Sequence, residues 1–389
     1  MRIVHLSNDE KFLPLVRSLF EEAFPAQNHY LVARPRRDDI RHVAPASDVS
    51  HHHSLRFRTR WIPRDLAAAD CVVVHLMSSR FAPALRHVRP GCLVVWLAVG
   101  GDYMPLLEPR LGRLLLPATA ELVRRLEGDR PQGRRARWAR VRAWVRGRIA
   151  RGGAVQPRPP AVVAAAPRID VFSANPADAV MLREALPALR ARLHVIPSFT
   201  VEDVFAAGPS TMAGPDVLLG NSANPSNNHL EALRLLRGRL PPGGRVVAPL
   251  SYGKAPHGYV AAVVQAGREA MRERFEPLTE WMSIDAYHTR LARCGVVLMN
   301  HRRQQAVGNI AAALYRGASV YLRRDNPLYG FFGDLGVTLL PIDELEADPA
   351  ASLGTLSAEQ RQRNRAAIEA RYGRARVVAA IRALEGFRR

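Results

Sequence analysis

Short runs of apolar, often β-branched residues alternate with helical patterns along almost the whole chain. Such short apolar runs are typical of strands in a sheet that is covered on both faces. In the first half the predicted strands are Arg2–Leu6, Tyr30–Ala33, Cys71–Leu76, Cys92–Val99, Ile169–Ser173 and Leu193–Pro197. In the second half they are Asp216–Gly220, Arg245–Leu250, Gly295–Asn300, Ser319–Leu322 and Val337–Leu340.

Helices are predicted between these strands, over Asp9–Ala23, Pro176–Leu189, Asn228–Leu240, Tyr259–Met271, Ile284–Arg293, Asn309–Gly317 and Ala358–Leu384. The alternation indicates an α/β fold with parallel sheets. Because 389 residues are too many for one core, we expect two Rossmann-like, doubly wound domains, 1–200 and 201–389, that face each other across a cleft. Residues 201–215 are rich in Gly, Pro and Ala and suit a linker. We also consider a return of the last helix to the N-terminal domain.

The composition is that of a folded globular protein, with 48% hydrophobic and 23% charged residues. No run of eighteen apolar residues occurs, and the first residues lack the apolar core of a signal peptide, so we expect a cytoplasmic protein. Cys71, Cys92 and Cys294 are far apart in the sequence. They fit neither a disulfide framework nor a metal site, and we expect buried free thiols.

The formal net charge is +21, and of the 56 basic residues only Lys11 and Lys254 are lysines. That bias resembles codon usage, so the distribution of charge is more informative than its sum. Residues 130–151 contain nine arginines and no acid, and Trp138, Val141, Val145 and Ile149 would form an apolar stripe on a helix there. A proline-rich loop follows, so that the basic part spans 126–160.

Three interpretations of this basic segment stay open. An Arg-rich amphipathic helix with tryptophans suits an anionic membrane surface, where each basic residue contributes about 1 kcal/mol. The same helix could instead pack on its own domain, or contact a nucleic-acid backbone, for which no accompanying motif exists. We predict the membrane surface and no nucleic-acid partner. The candidate membrane residues are Arg134, Arg135, Arg137, Trp138, Arg140 and Trp144.

Three loops that follow predicted strands combine polar residues with glycines: Asn221–His229, Ser251–Gly258 and His301–Asn309. Open α/β sheets bind ligands at the carboxyl ends of their strands. Free N–H groups at helix starts, hydroxyls and the Lys254 ammonium would suit a diphosphate, although ordinary helix capping and a solvated lysine are alternatives. The residues expected to hold the diphosphate or sugar are Asn221, Ser222, Tyr252, Lys254, Gln304, Gln305 and Asn309.

The known phosphate-binding fingerprints are absent. Neither G-x-G-x-x-G after the first strand nor G-x-x-x-x-G-K-[ST] occurs, which argues against a dehydrogenase and a P-loop enzyme. No D-x-D motif ends a strand, so a metal-chelated nucleotide is not expected. We therefore predict no cofactor and no metal ion, with arginine, lysine, amides and a helix N-terminus neutralising a leaving diphosphate.

Acid and base candidates lie at strand ends of the first half. Asp102 follows Gly100 and Gly101, where it could activate an acceptor hydroxyl or simply cap the next helix. His75 is the second candidate for that role, although strand-end histidines such as His75 and His5 are more often structural. His51-His-His53 is predicted to be a polar loop, because adjacent side chains rarely reach one metal ion.

A family resemblance follows from Asp285-Ala-Tyr287, Arg303-Gln-Gln305, Gly308, Gly317 and Asp325-Asn-Pro327. This stretch is similar to the bacterial TDP-N-acetylfucosamine:lipid II N-acetylfucosaminyltransferases, glycosyltransferase family 56, which build the enterobacterial common antigen. Gly220-Asn-Ser222 and, in the first half, His5, His75, Trp96 and Asp102 are collinear with it. Where the family shows Gly-Ile-Gly-Thr, this chain has Ala306-Val-Gly-Asn309.

The resemblance implies a GT-B fold, a nucleotide-sugar donor in the C-terminal domain and a polyprenyl-diphosphate-linked acceptor at the N-terminal domain. It adds Gly220, Asp285, Tyr287, Arg303 and Gly308 to the donor-site candidates, with helix capping as the alternative for Asp285 and Tyr287. We expect a metal-independent Leloir glycosyltransferase that moves a deoxy or acetamido sugar from a dTDP- or UDP-sugar to a lipid-linked saccharide, in surface polysaccharide synthesis. It would act peripherally on the cytoplasmic face of the inner membrane. The alternative is a non-catalytic basic protein that binds an anionic membrane or polymer through Arg130–Arg151.

Overall fold

The computed structural model describes residues 1–10, 12–34, 40, 42–58, 63–78, 80–107, 114–128, 161–205 and 211–388. These residues form two sheets in which all the strand pairs are parallel. The N-terminal sheet has the order β3-β2-β1-β4-β5-β6-β7, and the C-terminal sheet has the order β10-β9-β8-β11-β12-β13.

The strands of the N-terminal sheet are β1 Ile3–Asn8, β2 Asn28–Arg34, β3 Val49–His53, β4 Cys71–His75, β5 Leu93–Leu97, β6 Val171–Ser173 and β7 Arg192–Leu193. Those of the C-terminal sheet are β8 Val217–Leu219, β9 Val246–Pro249, β10 Phe275–Leu278, β11 Val296–Met299, β12 Ser319–Leu322 and β13 Leu340–Pro341. Central strands such as β4 and β11 are buried along their whole length, as their mainly apolar sequences require.

The helices of the first half are α1 Leu13–Ala23, α2 Pro63–Ala67, α3 Gly100–Leu107, α4 Pro117–Gly128, α5 Ala161–Ala165 and α6 Pro176–Ala185. Those of the second half are α7 Val201–Phe205, α8 His229–Leu236, α9 Tyr259–Met271, α10 Ile284–Leu291, α11 Val307–Tyr315, α12 Pro327–Asp334, α13 Ile342–Ala347, α14 Ala358–Tyr372 and α15 Arg374–Arg382. Local chemistry sets several starts: Asn326 caps α12, and Ser357 and Gln360 form a capping box at α14.

The predicted α/β architecture of parallel sheets covered by helices is confirmed. Some predictions about local structure were wrong. The strand predicted over Val337–Leu340 shares only Leu340 with the observed β13. His51–His53 is part of strand β3, paired with Val32–Arg34 of β2, and not a polar loop. The helix predicted over 358–384 is two helices, because Gly373 takes an extended conformation with ψ of 141° between them.

Two helices link the halves of the chain. Helix α15 returns to the first half, where Val377, Val378 and Ile381 share an apolar core with α1 and the β1, β4 and β5 strands. Helix α4 leaves the first half and packs on the C-terminal sheet, since Leu122 is buried in the core that contains α8 and α9. Among the described residues, no helix combines the length and the apolar character that crossing a membrane requires.

Candidate active site

In each sheet the chain order reverses at one pair of adjacent strands. The reversal lies between β1 and β4 in the N-terminal sheet and between β8 and β11 in the C-terminal sheet. Open α/β sheets bind ligands in the crevice that such a reversal leaves at the carboxyl ends of the strands. The predicted loops that begin at Asn221 and His301 follow β8 and β11, so they meet at the C-terminal crevice.

Asn227 holds the loop after β8 in one shape. Its Nδ2 donates to the carbonyl oxygens of Ser222 and Asn224, both at 3.0 Å, and its Oδ1 accepts from the Asn221 N–H at 3.3 Å. Gly220 has a φ of +66°, and a Cβ on it would lie 2.9 Å from Asn227 Oδ1. Glycine is therefore required at this strand end for two reasons. The Ser222 side chain is buried against the same loop, so its first role is to shape the loop.

Gln305 joins the two strand-end loops. Its Nε2 donates to Asn221 Oδ1 at 2.8 Å, and its Oε1 accepts from the Ser226 hydroxyl at 2.6 Å. Residues that are 84 and 79 positions apart in the chain thus contact each other at the crevice. Two of the predicted donor residues, Asn221 and Gln305, are brought together directly.

The loop after β9 lies against the same place. The Tyr252 carbonyl accepts from the Ala223 N–H at 2.7 Å. Burial raises the pKa of the Tyr252 phenol, while a hydrogen bond with the Asn221 side chain lowers it. The aromatic side chain remains 43% exposed, so it offers a free ring surface beside the crevice. Lys254, two residues further, is exposed in this loop, and its ammonium is available to a ligand.

Arg303 and Gln304 extend from the loop after β11 toward the N-terminal half. Gln304 Oε1 lies 3.2 Å from where a Cβ on Gly100 would be. Burial raises the pKa of Asp178 to about 6, and the positive charge of Arg303 opposes that effect. Asp178 accepts a 2.6 Å hydrogen bond from the Tyr103 hydroxyl. The loop after β11 therefore lies against the start of α3 and within electrostatic reach of Asp178 on α6.

Helix α11 begins directly after this loop. Gly308 and Asn309 lie in its first turn, and both are partly exposed. The residue before the helix, Ala306, has a φ of +60°, a left-handed conformation that L-amino acids adopt at a cost. The start of α11 is thus a strained backbone segment, and the first-turn N–H groups that follow it form the positive end of the helix dipole.

Asp285 and Tyr287 belong to helix α10, after the edge strand β10. Ser283 caps this helix by accepting from the Ala286 N–H at 3.3 Å, so the capping role considered for Asp285 belongs to Ser283. Asp285 is exposed in the first turn. Burial, followed by the nearby Tyr252, raises the pKa of the Tyr287 phenol, whose buried oxygen has no hydrogen-bond partner among the described residues. Tyr287 thus lies near Tyr252, whereas Asp285 faces solvent.

Asp102 accepts three hydrogen bonds from the protein itself. Its Oδ2 accepts from the Met77 N–H at 2.9 Å and from Trp96 Nε1 at 2.7 Å, and its Oδ1 accepts from the Val99 N–H at 3.1 Å. Burial raises the pKa of Asp102 to about 7, and these donors oppose that effect. The geometry favours the capping alternative, because the carboxylate bonds to the N–H that precedes its own helix.

His75 lies at the end of β4 and is 9% exposed. Its Nε2 is 3.0 Å from Nδ1 of His5, and burial lowers the pKa of His75 to about 4. Asp102 and His75 are therefore at the edge of the N-terminal sheet, while the donor candidates gather at the other sheet. The membrane candidates Arg134, Arg135, Arg137, Trp138, Arg140 and Trp144 lie outside the described residues.

Ser226, Asn28 and Asp178 are not among the site residues predicted from the sequence. Ser226 lies in the polar loop Asn221–His229 that was predicted to bind the ligand, which was a usable signal. In the sequence, Asp178 resembles any acidic residue in the first turn of a helix. Its burial against Tyr103 is visible only in the folded structure. Asn28 precedes an apolar run, and nothing in the sequence connects it with His5.

Comparison with solved structures identifies the fold. Sucrose-phosphate synthase from Thermosynechococcus elongatus is similar with a TM-score of 0.60 and 12% identity, over 99% of this chain and 98% of that chain. The apo structure of OtsA gives 0.58 and 10% identity, over 100% and 99%. A UDP-forming α,α-trehalose-phosphate synthase from Burkholderia vietnamiensis gives 0.56 and 11%, over the whole of both chains. Two Rossmann-like sheets and these likenesses define a GT-B fold, the fold of a large class of glycosyltransferases.

Residues 167–360, which include the complete C-terminal sheet, match the family described as 4-alpha-L-fucosyltransferase, glycosyl transferase group 56. This match confirms the resemblance to glycosyltransferase family 56 that is seen in the sequence. Fold and family together make it a Leloir glycosyltransferase, which uses a nucleotide-sugar donor and a saccharide acceptor. The alternative of a non-catalytic basic protein is thereby set aside.

Proposed function

We propose that this enzyme transfers a deoxy or acetamido sugar, of the N-acetylfucosamine type, from a dTDP- or UDP-sugar to a polyprenyl-diphosphate-linked saccharide for surface polysaccharide. Residues 201–389 would bind the donor, and residues 1–200 would bind the acceptor. Helices α4 and α15 are exceptions to this division, because each packs on the opposite half of the chain. The observation that carries the proposal is the meeting of three strand-end loops at the β8/β11 crevice, where Gln305 bonds to both Asn221 and Ser226.

The donor diphosphate is proposed to bind at this crevice without a divalent cation. Lys254 and Arg303 supply positive charge, and the first turn of α11 at Gly308 and Asn309 supplies backbone N–H groups. The exposed ring of Tyr252 suits the apolar face of a base or sugar. Such donors stabilise the charge that develops on the leaving diphosphate, and that stabilisation lowers the barrier of transfer.

A donor screen tests this assignment. We expect dTDP or UDP to raise the melting temperature of the purified protein, and the sugar nucleotide that raises it most identifies the donor. Gln305→Ala removes two hydrogen bonds of the crevice, so it should weaken that nucleotide's affinity about tenfold. The matched control is Gln265→Ala, because Gln265 is exposed on α9 and its side chain bonds to Glu269 of its own helix. Equal affinity in the two variants would remove the crevice from the proposal.

We propose that the enzyme binds its lipid-linked acceptor at the cytoplasmic face of the inner membrane. The basic segment 130–151 would lie on the anionic membrane surface. The support is its charge, nine arginines without an acid, and its apolar stripe. Arg134, Arg135, Arg137 and Arg140 changed together to Gln should abolish sedimentation with anionic liposomes. The same number of exposed arginines, Arg86, Arg234, Arg237 and Arg268, changed to Gln forms the control. If both variants sediment alike, net charge rather than this segment is responsible.

A further inference from the structure

Three polar side chains form a hydrogen-bonded row in the core of the N-terminal sheet. His75 Nε2 lies 3.0 Å from His5 Nδ1, and His5 Nε2 lies 3.1 Å from Asn28 Oδ1. The side chain of His5 is fully buried and stacks on Tyr30 with the ring centroids 4.2 Å apart. The row leads from the interior of the sheet to the carboxyl end of β4, beside the chain reversal between β1 and β4.

The hydrogen bonds of Asn28 determine the tautomers of both imidazoles. Asn28 Nδ2 donates to the carbonyl oxygens of Phe20 and Phe24, at 3.2 and 2.8 Å, which turns Oδ1 toward His5. Because Oδ1 can only accept, His5 Nε2 carries the proton and His5 Nδ1 carries a lone pair. His75 Nε2 must then donate to His5 Nδ1. The remaining nitrogen of His75, Nδ1, is consequently an unprotonated acceptor.

The backbone that follows His75 is held in an uncommon conformation. Leu76 has a φ of +57°, in the left-handed region that a leucine rarely adopts. The next N–H, that of Met77, donates to Asp102 Oδ2 at 2.9 Å, and Trp96 Nε1 donates to the same oxygen. Asp102 therefore anchors the turn directly after His75. Strain of this kind persists where the surrounding structure enforces it, and it is frequent at active sites.

We infer that Asn28 and His5 position His75 to accept, at Nδ1, the proton of the saccharide hydroxyl that attacks the donor. The inference rests on the proposed function, since it takes an acceptor bound at the N-terminal sheet. The hydroxyl oxygen bonds to the anomeric carbon while the bond from that carbon to the diphosphate oxygen breaks and leaves its electron pair on the diphosphate. The proton passes to His75 Nδ1 and later to water, which restores the neutral imidazole. Asn28, His5 and Asp102 are positioning residues in this step.

The surroundings keep the two rings neutral before the reaction. Burial, then the proximity of His75, lowers the pKa of His5, and His29 of β2 lowers it further, while the Asn28 hydrogen bond raises it. Burial lowers the pKa of His75 to about 4. Tyr30 faces His5 from β2, and the charged groups near its phenol are Glu21, Asp48 and Arg17. His75 is therefore unprotonated at neutral pH, and no acidic limb from this base is expected between about pH 5.5 and 8.

Imidazole tautomers are measured by ¹⁵N-histidine NMR on the free, full-length protein. We expect His75 in the single tautomer with the proton on Nε2, and in Asn28→Leu a mixture of tautomers at His75, because His5 loses the acceptor that orients it. A proton on Nδ1 of His75 in the wild-type protein would overturn the inference. This measurement needs no substrate, so it stands apart from the proposed function.

Kinetics supply the second test, with the donor found by the screen and prenyl-diphosphate-linked N-acetylglucosamine or, failing transfer to it, water as acceptor. His75→Gln should lower kcat at least about 10²-fold while the donor still raises the melting temperature. His194→Gln is the control, because His194 follows β7 in the same sheet and bonds to the Ala380 carbonyl at 2.7 Å. Wild-type kcat in His75→Gln would refute the inference and leave the donor site intact. Absence of any donor shift in all proteins would instead refute the proposed function.

The pH dependence of kcat distinguishes a positioning role of Asn28 from a purely structural one. In Asn28→Asp a carboxylate faces His5, and an opposite charge raises the pKa of an imidazole. We expect an acidic limb of kcat to move into the range between about pH 5.5 and 7, with kcat at pH 8 retained within roughly tenfold. If Asn28 only supported the fold, the variant would lose stability without moving that limb, and that result would contradict the inference.

Discussion

The strand end at Gly220 shows how one residue can carry both a backbone and a packing requirement. Its φ of +66° disfavours a side chain, and a Cβ would also meet Asn227 Oδ1 at 2.9 Å. We expect Gly220→Ala to lower the free energy of unfolding by about 2 kcal/mol or more, and to weaken donor binding, because Asn227 orders the loop that carries Asn221. Urea unfolding and nucleotide titration measure the two effects.

Gly238 provides the matched control for this prediction. It has a φ of +78°, but no atom lies within 4 Å of where its Cβ would be. Gly238→Ala should therefore show the backbone cost alone, of about 1 kcal/mol, with donor binding unchanged. Equal losses in the two variants would mean that contact with Asn227 contributes nothing.

At the scale of elements, helix α4 depends on a cap from the other half of the chain. The Glu231 carboxylate of α8 accepts from the Thr119 N–H at 2.9 Å and from the Thr119 hydroxyl at 2.6 Å. The first-turn N–H groups of a helix have no partner within the helix, and a negative charge there is favourable. Glu231→Ala should cost about 1–3 kcal/mol and lower the hydrogen-exchange protection of α4.

A control for this prediction lies on α4 itself. Glu121 pairs with Arg124 on the exposed face of the helix, with side chains 61% and 74% accessible. Such a pair is screened by water, so Glu121→Ala should leave exchange in α4 nearly unchanged. If α4 exchanges equally in both variants, packing of Leu122 alone holds the helix in place.

The elements also show where sequence patterns suffice and where they fail. Strands β4, β5 and β11 are continuous apolar runs, and the sequence predicts them because burial on both faces demands that composition. The edge strand β3, Val49–His53, has one apolar residue, so its sequence does not indicate a strand. It forms through pairing with β2. Strand β10 contains Glu276 and Pro277, which an edge position tolerates because one side of the strand makes no ladder bonds.

The same distinction holds for the candidate site. The crevice was predictable, because parallel strands bring their carboxyl ends to one edge and the polar loops after β8 and β11 follow in the sequence. The pairing of Gln305 with Asn221 and Ser226 needs the strand order, in which β8 and β11 are neighbours although three strand positions apart in the chain. The His5–Asn28 contact likewise joins β1 to β2 at 23 residues' separation. The spacing of apolar residues along the chain does not indicate which side chains from different strands contact each other.

At the scale of the whole molecule, several contacts among the described residues cross between the halves. Helix α15 packs on α1, and Arg374 at its start bonds to Glu22 of α1 and to Asp203 of α7. Helix α4 is capped by α8. The loop after β11 reaches Gly100, and its Arg303 lies within electrostatic reach of Asp178 on α6. The last contact brings the positive charge of Arg303 near the buried Asp178 carboxyl.

Asp178 should make that junction sensitive to pH. The side chain is fully buried, Oδ1 has no hydrogen-bond partner among the described residues, and burial raises its pKa from 3.8 to about 6. A raised pKa means that the folded state favours the protonated acid, so its contribution to stability is present below about pH 4 and is lost as pH rises through about 6. Asp178→Asn keeps an acceptor for the Tyr103 hydroxyl and removes the buried charge.

The expected outcome is a difference between variant and wild type that grows with pH. At pH 4 the free energies of unfolding should be nearly equal, and at pH 8 Asp178→Asn should be more stable by roughly 1–3 kcal/mol, since each pKa unit corresponds to about 1.4 kcal/mol. Taking the difference removes the opposite trend of carboxylates whose pKa is lowered by ion pairs, such as Glu276 with Arg290. The opposite result would be a variant that loses stability relative to wild type as the pH rises from 4 to 8. It would mean that Arg303 stabilises a charged Asp178, so that an ion pair joins the two halves.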